Sequence, residues 1–145
     1  MQVFIEQTGE HLKKNIFDKV TGAYSKTVDF HTTYPYPYGY ILNTKASDGD
    51  ALDCYVISDT KFQIGEVVEC EPIGIVEYIE GDVPDHKILM VCKGDTQSEV
   101  SSEVKRNLLD FDAIFFQGRS RNGSRVGDFL GVDAAHSEIE SALEK

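Results

Sequence analysis

Three carboxylates lie within six residues, at Asp48, Asp50 and Asp53, where an apolar run over 52–57 begins. Carboxylates this close repel one another, so a folded protein exposes them to water or uses them to bind a cation. The spacing does not fit an EF-hand calcium loop, because Leu52 and Asp53 stand where that loop needs a ligand and a glycine. Alternation along a strand over 52–57 predicts that Asp53 and Tyr55 share one face, away from the face of Leu52, Cys54 and Val56. A polar turn that caps a strand is the simpler alternative.

A second acidic turn contains Glu80, Asp85 and Lys87 and leads into an apolar run over 88–92. If a strand begins near Asp85, then Asp85 and Lys87 project from the same face. A carboxylate beside an ammonium suits a metal next to a phosphate, and oxygen ligands without Cys or paired His favour Mg²⁺ or Mn²⁺ over zinc. An exposed ion pair on a loop is the alternative.

Four tyrosines alternate with Pro and Gly in the segment 34–40, Tyr-Pro-Tyr-Pro-Tyr-Gly-Tyr. A tyrosine hydroxyl can bond a phosphoryl oxygen, and Pro and Gly fix the backbone that aims it. For at least two of the four, packing against a sheet is the alternative.

The elements that position these groups are predicted from periodicity. Short β-branched and aromatic runs predict strands over 2–6, 14–18, 24–30, 52–58, 66–79, 86–92 and 125–132, with a break in the longest near Pro72 and Gly74. Apolar residues at three- and four-residue steps from Val100 to Phe115 predict a helix, and a second helix is expected after an Asp133 cap. Strands followed by helices favour a mainly β fold, a closed or nearly closed sheet with flanking α-helices, in one domain over 1–145.

Composition restricts the partners. The 25 Asp and Glu exceed the 14 Lys and Arg, which gives a net charge of −11 and disfavours nucleic acid and anionic membrane surfaces. The sequence shows no signal-like start, and no window approaches the ~20 apolar residues of a membrane span. A cytoplasmic location is therefore expected. Cys54, Cys70 and Cys92 lack the spacing of a zinc site or a disulfide framework and are expected to be reduced core residues.

Taken together, these motifs resemble the soluble inorganic pyrophosphatases of family I, in their bacterial type. The segment 34–41 is similar to the family's Tyr-Pro-x-Asn-Tyr-Gly-[Tyr/Phe]-Ile, and 48–53 is similar to its Asp-Gly-Asp-Pro-x-Asp, at the same spacing. Glu80 stands five residues before the Asp85-x-Lys87 triplet, as an Asp does in the family. Glu6 and Lys14 look like the family's strand Glu and the Lys near its Gly-Ala turn, so the resemblance covers nearly the whole chain.

The resemblance implies a five-stranded OB-type β-barrel that hydrolyses inorganic pyrophosphate to two phosphates with several Mg²⁺ ions, or with Mn²⁺. It implies a homo-oligomer, with a hexamer favoured. It also implies roles for individual residues: Asp50 orients or deprotonates the attacking water. The implied metal ligands are Asp48, Asp53, Asp85 and Glu80, and the implied holders of phosphoryl oxygens are Lys14, Tyr38 and Lys87.

Several positions depart from the family pattern: Ile16 replaces a Glu, Pro37 an Asn and Ala51 a Pro. Lys26 is the nearest counterpart of a phosphate-binding Arg and offers a point charge instead of a planar fork. The Tyr-Lys pair that follows the family's Phe-Phe is missing, and Arg119 or Arg121 is expected to supply its phosphate contact unless this segment is a solvated basic turn. A catalytically degenerate relative that binds phosphate compounds or a protein partner is therefore the alternative function.

Overall fold

A computed structural model describes residues 1–8, 13–29, 33–46, 49–80, 83–115 and 125–143. Side chains are described for these residues except at 13, 29, 79–80, 83–84, 114–115 and 125–127. The elements, in chain order, are β1 (Gln2–Gln7), β2 (Lys13–Phe17), β3 (Tyr24–Asp29), β4 (Tyr38–Ile41), β5 (Asp53–Val56), β6 (Val67–Glu80), β7 (Val83–Pro84), β8 (Lys87–Cys92), α1 (Ser102–Phe115), β9 (Arg125–Leu130) and α2 (Val132–Ala142).

Five of the described strands close into a barrel in the order β1, β4, β5, β8 and β6, and β6 pairs back onto β1. The pairs are antiparallel except for β5 with β8, which run parallel. β7 and β9 pair with β6, and β2 and β3 form a separate hairpin. The predicted mainly β fold, an OB-type barrel with flanking helices, is confirmed. Neither helix of the described part has the length and apolar character to cross a membrane.

Successive side chains of β5 point to opposite faces of the sheet, so they belong to two different apolar clusters. Leu52, Cys54 and Val56 lie inside the barrel, whereas Tyr55 points outward and packs beneath α1 against Leu108. This alternation is the one predicted from the sequence. Because Asp53 shares the outward face of Tyr55, the strand delivers its carboxylate to the outer surface of the barrel, beside α1.

Three local features differ from the sequence predictions. β4 was not among the predicted strands, because Pro and Gly crowd its segment. β6 is not broken near Pro72 and instead passes it with a bulge, visible as a register shift between Pro72 and Gly74. Asp133 does not cap α2: Gly131 is the cap, and Asp133 lies in the first turn, where a carboxylate is favoured by the helix dipole.

Gly39 allows the backbones of β4 and β1 to approach closely, because a Cβ at this position would overlap the carbonyl group of Phe4. We expect Gly39→Ala to lower the free energy of unfolding by ~3 kcal/mol or more, since backbone cannot yield as a side chain would. Urea unfolding measures this. The control is Gly131→Ala, which meets no atom within 4 Å and should cost about 1 kcal/mol or less. Equal losses in the two variants would contradict the close approach.

Candidate active site

A cavity of about 350 Å³ lies on the outer face of the barrel, between the β2–β3 hairpin and α1. Four tyrosines from different parts of the chain form part of its wall: Tyr34, Tyr38, Tyr55 and Tyr78. Its ionisable groups have both signs: the carboxyl groups of Glu6, Asp53, Asp85 and Asp112, and the ammonium groups of Lys14, Lys19 and Lys87. The cavity therefore offers ligands for cations beside groups that bind anions.

Asp53 is the centre of the ion-pair network. Its Oδ1 lies 2.7 Å from Nζ of Lys19, and its Oδ2 lies 2.8 Å from Nζ of Lys87. Burial alone would raise the pKa of Asp53, but the charges and hydrogen bonds of Lys87 and Lys19 outweigh burial and hold the pKa below its usual value. Asp53 is consequently ionised throughout the neutral pH range.

Lys87 joins two carboxylates, because its Nζ also lies 3.0 Å from Oδ2 of Asp85. Burial opposes its charge, yet Asp53 and Asp85 raise the pKa of Lys87 well above its usual value. Its ammonium lies 5.5 Å from the ring centroid of Tyr38 and 5.9 Å from that of Tyr78, within cation–π range. Asp85 and Lys87 thus share a face, as the sequence predicted.

Glu6 extends from β1 into the same cavity and is only 5% exposed. Burial raises the pKa of Glu6 to about 7, with Asp53 adding to the rise while Lys19 and Lys14 oppose it. Near neutral pH, Glu6 therefore exchanges a proton readily while Asp53 beside it does not. Two carboxyl groups in one cavity are thereby held in different protonation states.

Asp112 is a buried carboxyl group on the face of α1 that packs against the barrel, and it is 4% exposed. The Tyr78 hydroxyl donates to its two oxygens, at 2.8 and 2.6 Å. Burial raises the pKa of Asp112 to about 7, against the lowering effects of the Tyr78 hydrogen bond and of the Lys87 charge. An apolar residue would pack at this position without that desolvation cost, so the carboxyl group is more readily explained by the cavity than by the core.

The structure brings six of the predicted site residues to this cavity: Glu6, Lys14, Tyr38, Asp53, Asp85 and Lys87. Asp50 is exposed and lines an adjoining cavity of about 260 Å³, which shares Lys19 with the first. Lys26 is exposed on β3 and lines neither cavity. Glu80 ends β6, and its side chain is not described. Asp48, Arg119 and Arg121 lie outside the described residues.

Lys19, Tyr78 and Asp112 were not predicted from the sequence. Lys19 follows β2, and nothing local shows that its partner is Asp53, 34 residues away. Asp112 did carry a signal, because it stands four residues after Leu108 and so falls on the apolar stripe of the helix, where a carboxyl group is unexpected. Tyr78 becomes recognisable only through the hydroxyl contact with Asp112.

Comparison with known proteins identifies the family. A family model described as inorganic pyrophosphatase matches residues 3–145. The chain belongs to the inorganic pyrophosphatase family. It is 34% identical over 152 residues to the inorganic pyrophosphatase of Nostoc sp., covering 99% of this chain and 90% of that protein. The inorganic pyrophosphatase structure from Helicobacter pylori superposes with a TM-score of 0.85 at 25% identity, over 99% of this chain and 91% of that one.

Membership of the inorganic pyrophosphatase family makes the chain a hydrolase of a phosphoanhydride, and it implies a divalent metal cofactor. Within the described ranges, no three Asp, Glu, His or Cys side chains converge to hold a metal ion. Among the carboxyl groups that line the cavity, Asp53 and Asp85 offer hard oxygen ligands of the kind that such cations prefer. The two ammonium groups on Asp53 show that this position stabilises positive charge, so the residues fit a divalent cation.

The raised pKa of Asp112 makes stability depend on pH. Its pKa of about 7 in the folded protein exceeds the ~3.9 of an unfolded Asp. The folded state therefore binds the extra proton, and the free energy of unfolding falls as pH rises between these values. We expect Asp112→Asn, which cannot ionise, to reduce the fall between about pH 5 and about pH 8 by roughly 2–3 kcal/mol, measured by urea unfolding.

Asp110→Asn is the matched control, because Asp110 is exposed on the same helix. It should keep the pH dependence of the native protein. In Asp112→Asn the side-chain amide oxygen can still accept from the Tyr78 hydroxyl, so the variant tests ionisation and not loss of the hydrogen bond. If the free energy of unfolding of Asp112→Asn changed with pH as it does in the native protein, the raised pKa of Asp112 would be contradicted.

Proposed function

We propose that the protein hydrolyses inorganic pyrophosphate to two orthophosphates in a Mg²⁺-dependent reaction at the cavity around Asp53. The observation that carries the proposal is Lys87, an ammonium held between the carboxylates of Asp53 and Asp85 at 2.8 and 3.0 Å. In this proposal the two carboxylates bind metal ions and the ammonium beside them binds a phosphoryl oxygen. Pyrophosphate with its cations needs both kinds of group within one cavity.

Asp53 and Asp85 are the described ligands proposed for the metal ions, and Asp48 and Glu80 complete the proposed set. Mg²⁺ ions bound there would lower the pKa of the attacking water from 15.7 toward neutrality and neutralise charge on the phosphoryl oxygens. Mn²⁺ prefers similar oxygen ligands and is the alternative cation.

Lys87, Lys14 and Tyr38 are proposed to hold phosphoryl oxygens. The raised pKa of Lys87 keeps its ammonium charged across the neutral range. Burial, followed by the nearby Asp53 charge, raises the pKa of Tyr38 well above its usual value, so its hydroxyl stays protonated and can donate a hydrogen bond. Fixed donors of this kind stabilise charge as it develops on a phosphoryl group, without reorganising during the reaction.

Asp50 is proposed to orient the attacking water and accept its proton. It is exposed, and it stands three residues before Asp53 on the turn that leads into β5. Because Asp50 is exposed, a proton that it accepts can pass to solvent after each turnover. The cavity that Asp50 lines shares Lys19 with the proposed substrate site.

One observation favours the alternative of a degenerate, phosphate-binding relative. The wall of the cavity contains Ile16, an apolar side chain at a position where the resemblance implies a Glu. Loss of that carboxylate would remove one oxygen ligand or hydrogen-bond acceptor from the site. Only the enzyme would hydrolyse pyrophosphate rapidly, so a measurement of orthophosphate release separates the two functions.

Orthophosphate release from pyrophosphate with Mg²⁺ tests the proposed reaction. We expect rapid release by the native protein and a loss of about 100-fold or more in kcat for Asp50→Asn, because the amide cannot accept the proton. Asp59→Asn, at another exposed carboxylate, is the control and should keep native activity. A folded native protein that releases no orthophosphate with either Mg²⁺ or Mn²⁺ would overturn the proposal and leave the binding function.

Lys14 and Lys26 can be compared directly, since both were predicted to bind substrate and only Lys14 lines the cavity. We expect Lys14→Met to lower kcat/KM about tenfold or more, through loss of a charged hydrogen bond to a phosphoryl oxygen. Lys26→Met should change kcat/KM by less than about twofold, because the exposed side chain of Lys26 lines neither cavity. Steady-state kinetics at saturating Mg²⁺ measure both, and equal losses would show that the cavity does not define the substrate site.

The homohexamer and the cytoplasmic location stay predictions from the sequence. Light scattering after size-exclusion chromatography gives the mass of the assembly directly. A mass of one chain would contradict the expected homo-oligomer, and a mass of two chains would contradict the hexamer.

A further inference from the structure

Cys70 and Cys92 stand directly opposite each other on neighbouring antiparallel strands, β6 and β8. Residues opposite one another in a sheet project from the same face, so the two thiols lie side by side. Both pack with the apolar cluster inside the barrel, Cys70 fully buried and Cys92 partly exposed. All three cysteines of the chain are free thiols in this structure.

The backbone hydrogen bonds show which kind of antiparallel pair this is. The amide of Lys93 donates to the carbonyl of Glu69 at 3.0 Å, so the bond joins the residue after Cys92 to the residue before Cys70. The amide of Cys70 itself points the other way and donates to the carbonyl of Met1 at 2.8 Å. Such bonds bracket a non-hydrogen-bonded pair, the type in which the two Cα atoms lie closest, about 4.5 Å apart.

That separation falls within the roughly 4.4–6.8 Å spanned by Cα atoms in disulfides. We propose that Cys70 and Cys92 are an oxidation site, which forms a reversible cross-strand disulfide on exposure to a hydroperoxide. The site does not depend on the proposed pyrophosphatase function, because its support is the barrel register alone.

The disulfide forms in two steps, and the different exposure of the two thiols decides which of them reacts first. The thiolate of Cys92, at the accessible end of the pair, attacks a peroxide oxygen; the O–O bond breaks, one water leaves after protonation, and Cys92 becomes a sulfenic acid. The sulfur of Cys70 then attacks the sulfur of Cys92, and hydroxide leaves with the proton of Cys70 as a second water. In all, two thiols are oxidised and one hydrogen peroxide is reduced to two waters.

Cys70 is the resolving partner because it is the less reactive thiol. Burial raises the pKa of Cys70 to about 12, with the neighbouring Cys92 adding to the rise, so Cys70 is protonated at neutral pH. Cys92 is partly exposed whereas Cys70 is buried, so Cys92 is the thiol that a peroxide reaches first.

Cys54 also lies inside the barrel, where burial and then the nearby Cys70 raise the pKa of its thiol, but strand pairing places it opposite neither Cys70 nor Cys92. It lies on β5, which does not pair with β6, and its own neighbour on β8 is Ile88. A shared metal is not supported either, since no three thiol, imidazole or carboxyl groups of the described residues converge. Cys54 is thus a matched control for the chemistry of a buried thiol within the same barrel.

The disulfide would tie β6 to β8 at the end of β8 opposite Lys87. Cross-linking a loop of roughly twenty residues restricts the unfolded chain, and the thermal midpoint should rise by about 5–10 °C. Cys92 and Lys87 lie at opposite ends of the strand, so the cavity should keep its geometry.

The test treats the folded native protein with hydrogen peroxide, alkylates the remaining thiols after unfolding, and maps the peptides by mass spectrometry. We expect a peptide pair joined through Cys70 and Cys92, two hydrogen atoms lighter, with Cys54 still alkylated. The thermal midpoint should rise and should return to its original value with dithiothreitol. Cys54→Ala should behave as the native protein, and Cys92→Ser should form no intramolecular link.

Three results would overturn the proposal. Cys92 could stop at sulfinic acid while Cys70 remains open to alkylation, the link could join Cys54 to either partner, or the product could be a disulfide between two chains. Because each is read from the native protein, the outcome does not depend on whether a variant folds.

Discussion

The arrangement of the site depends on one constraint, the Asp53 carboxylate, whose side chain is only 12% exposed and must nevertheless stay charged. Removing the Asp53 charge from water costs several kcal/mol unless cations compensate it, and Lys19 and Lys87 do so at 2.7 and 2.8 Å. These two lysines come from separate parts of the chain, the turn after β2 and the first residue of β8. The Lys19–Asp53 pair joins the β2–β3 hairpin to the barrel on one side of the cavity, and the Lys87–Asp53 pair joins two neighbouring barrel strands.

Barrel register determines which groups meet. In the parallel pairing of β5 with β8, Cys54 lies beside Ile88, so the residues that precede them, Asp53 and Lys87, are also neighbours. A one-residue slip of either strand would turn that strand's charged side chain into the barrel and destroy the ion pair. Helix α1 completes the wall with Asp112. The same register that assembles the site on the outer face brings Cys70 opposite Cys92 on the inner face.

The sequence was sufficient to predict which face of a strand a side chain lies on, because local periodicity determines this. Alternation over 52–56 placed Asp53 on the outer face, and the short step from Asp85 to Lys87 placed both side chains on one face. It did not predict contacts between distant segments, such as Lys19 with Asp53, Tyr78 with Asp112, or the paired cysteines, because the register of the barrel sets them. β4 was missed for a different reason: Pro and Gly weaken its strand signal, although the small Gly39 is what lets it approach β1.

The central claim is that the Asp53 carboxylate organises a pyrophosphate-hydrolysing site. Its most direct test is orthophosphate release from pyrophosphate by Asp53→Asn at saturating Mg²⁺, beside Asp128→Asn at an exposed carboxylate and with circular dichroism to establish folding. Folded Asp53→Asn should lose on the order of 100-fold or more in kcat, because a charged ligand is lost, and Asp128→Asn should keep native activity. Activity of folded Asp53→Asn within about fivefold of the native protein would contradict it.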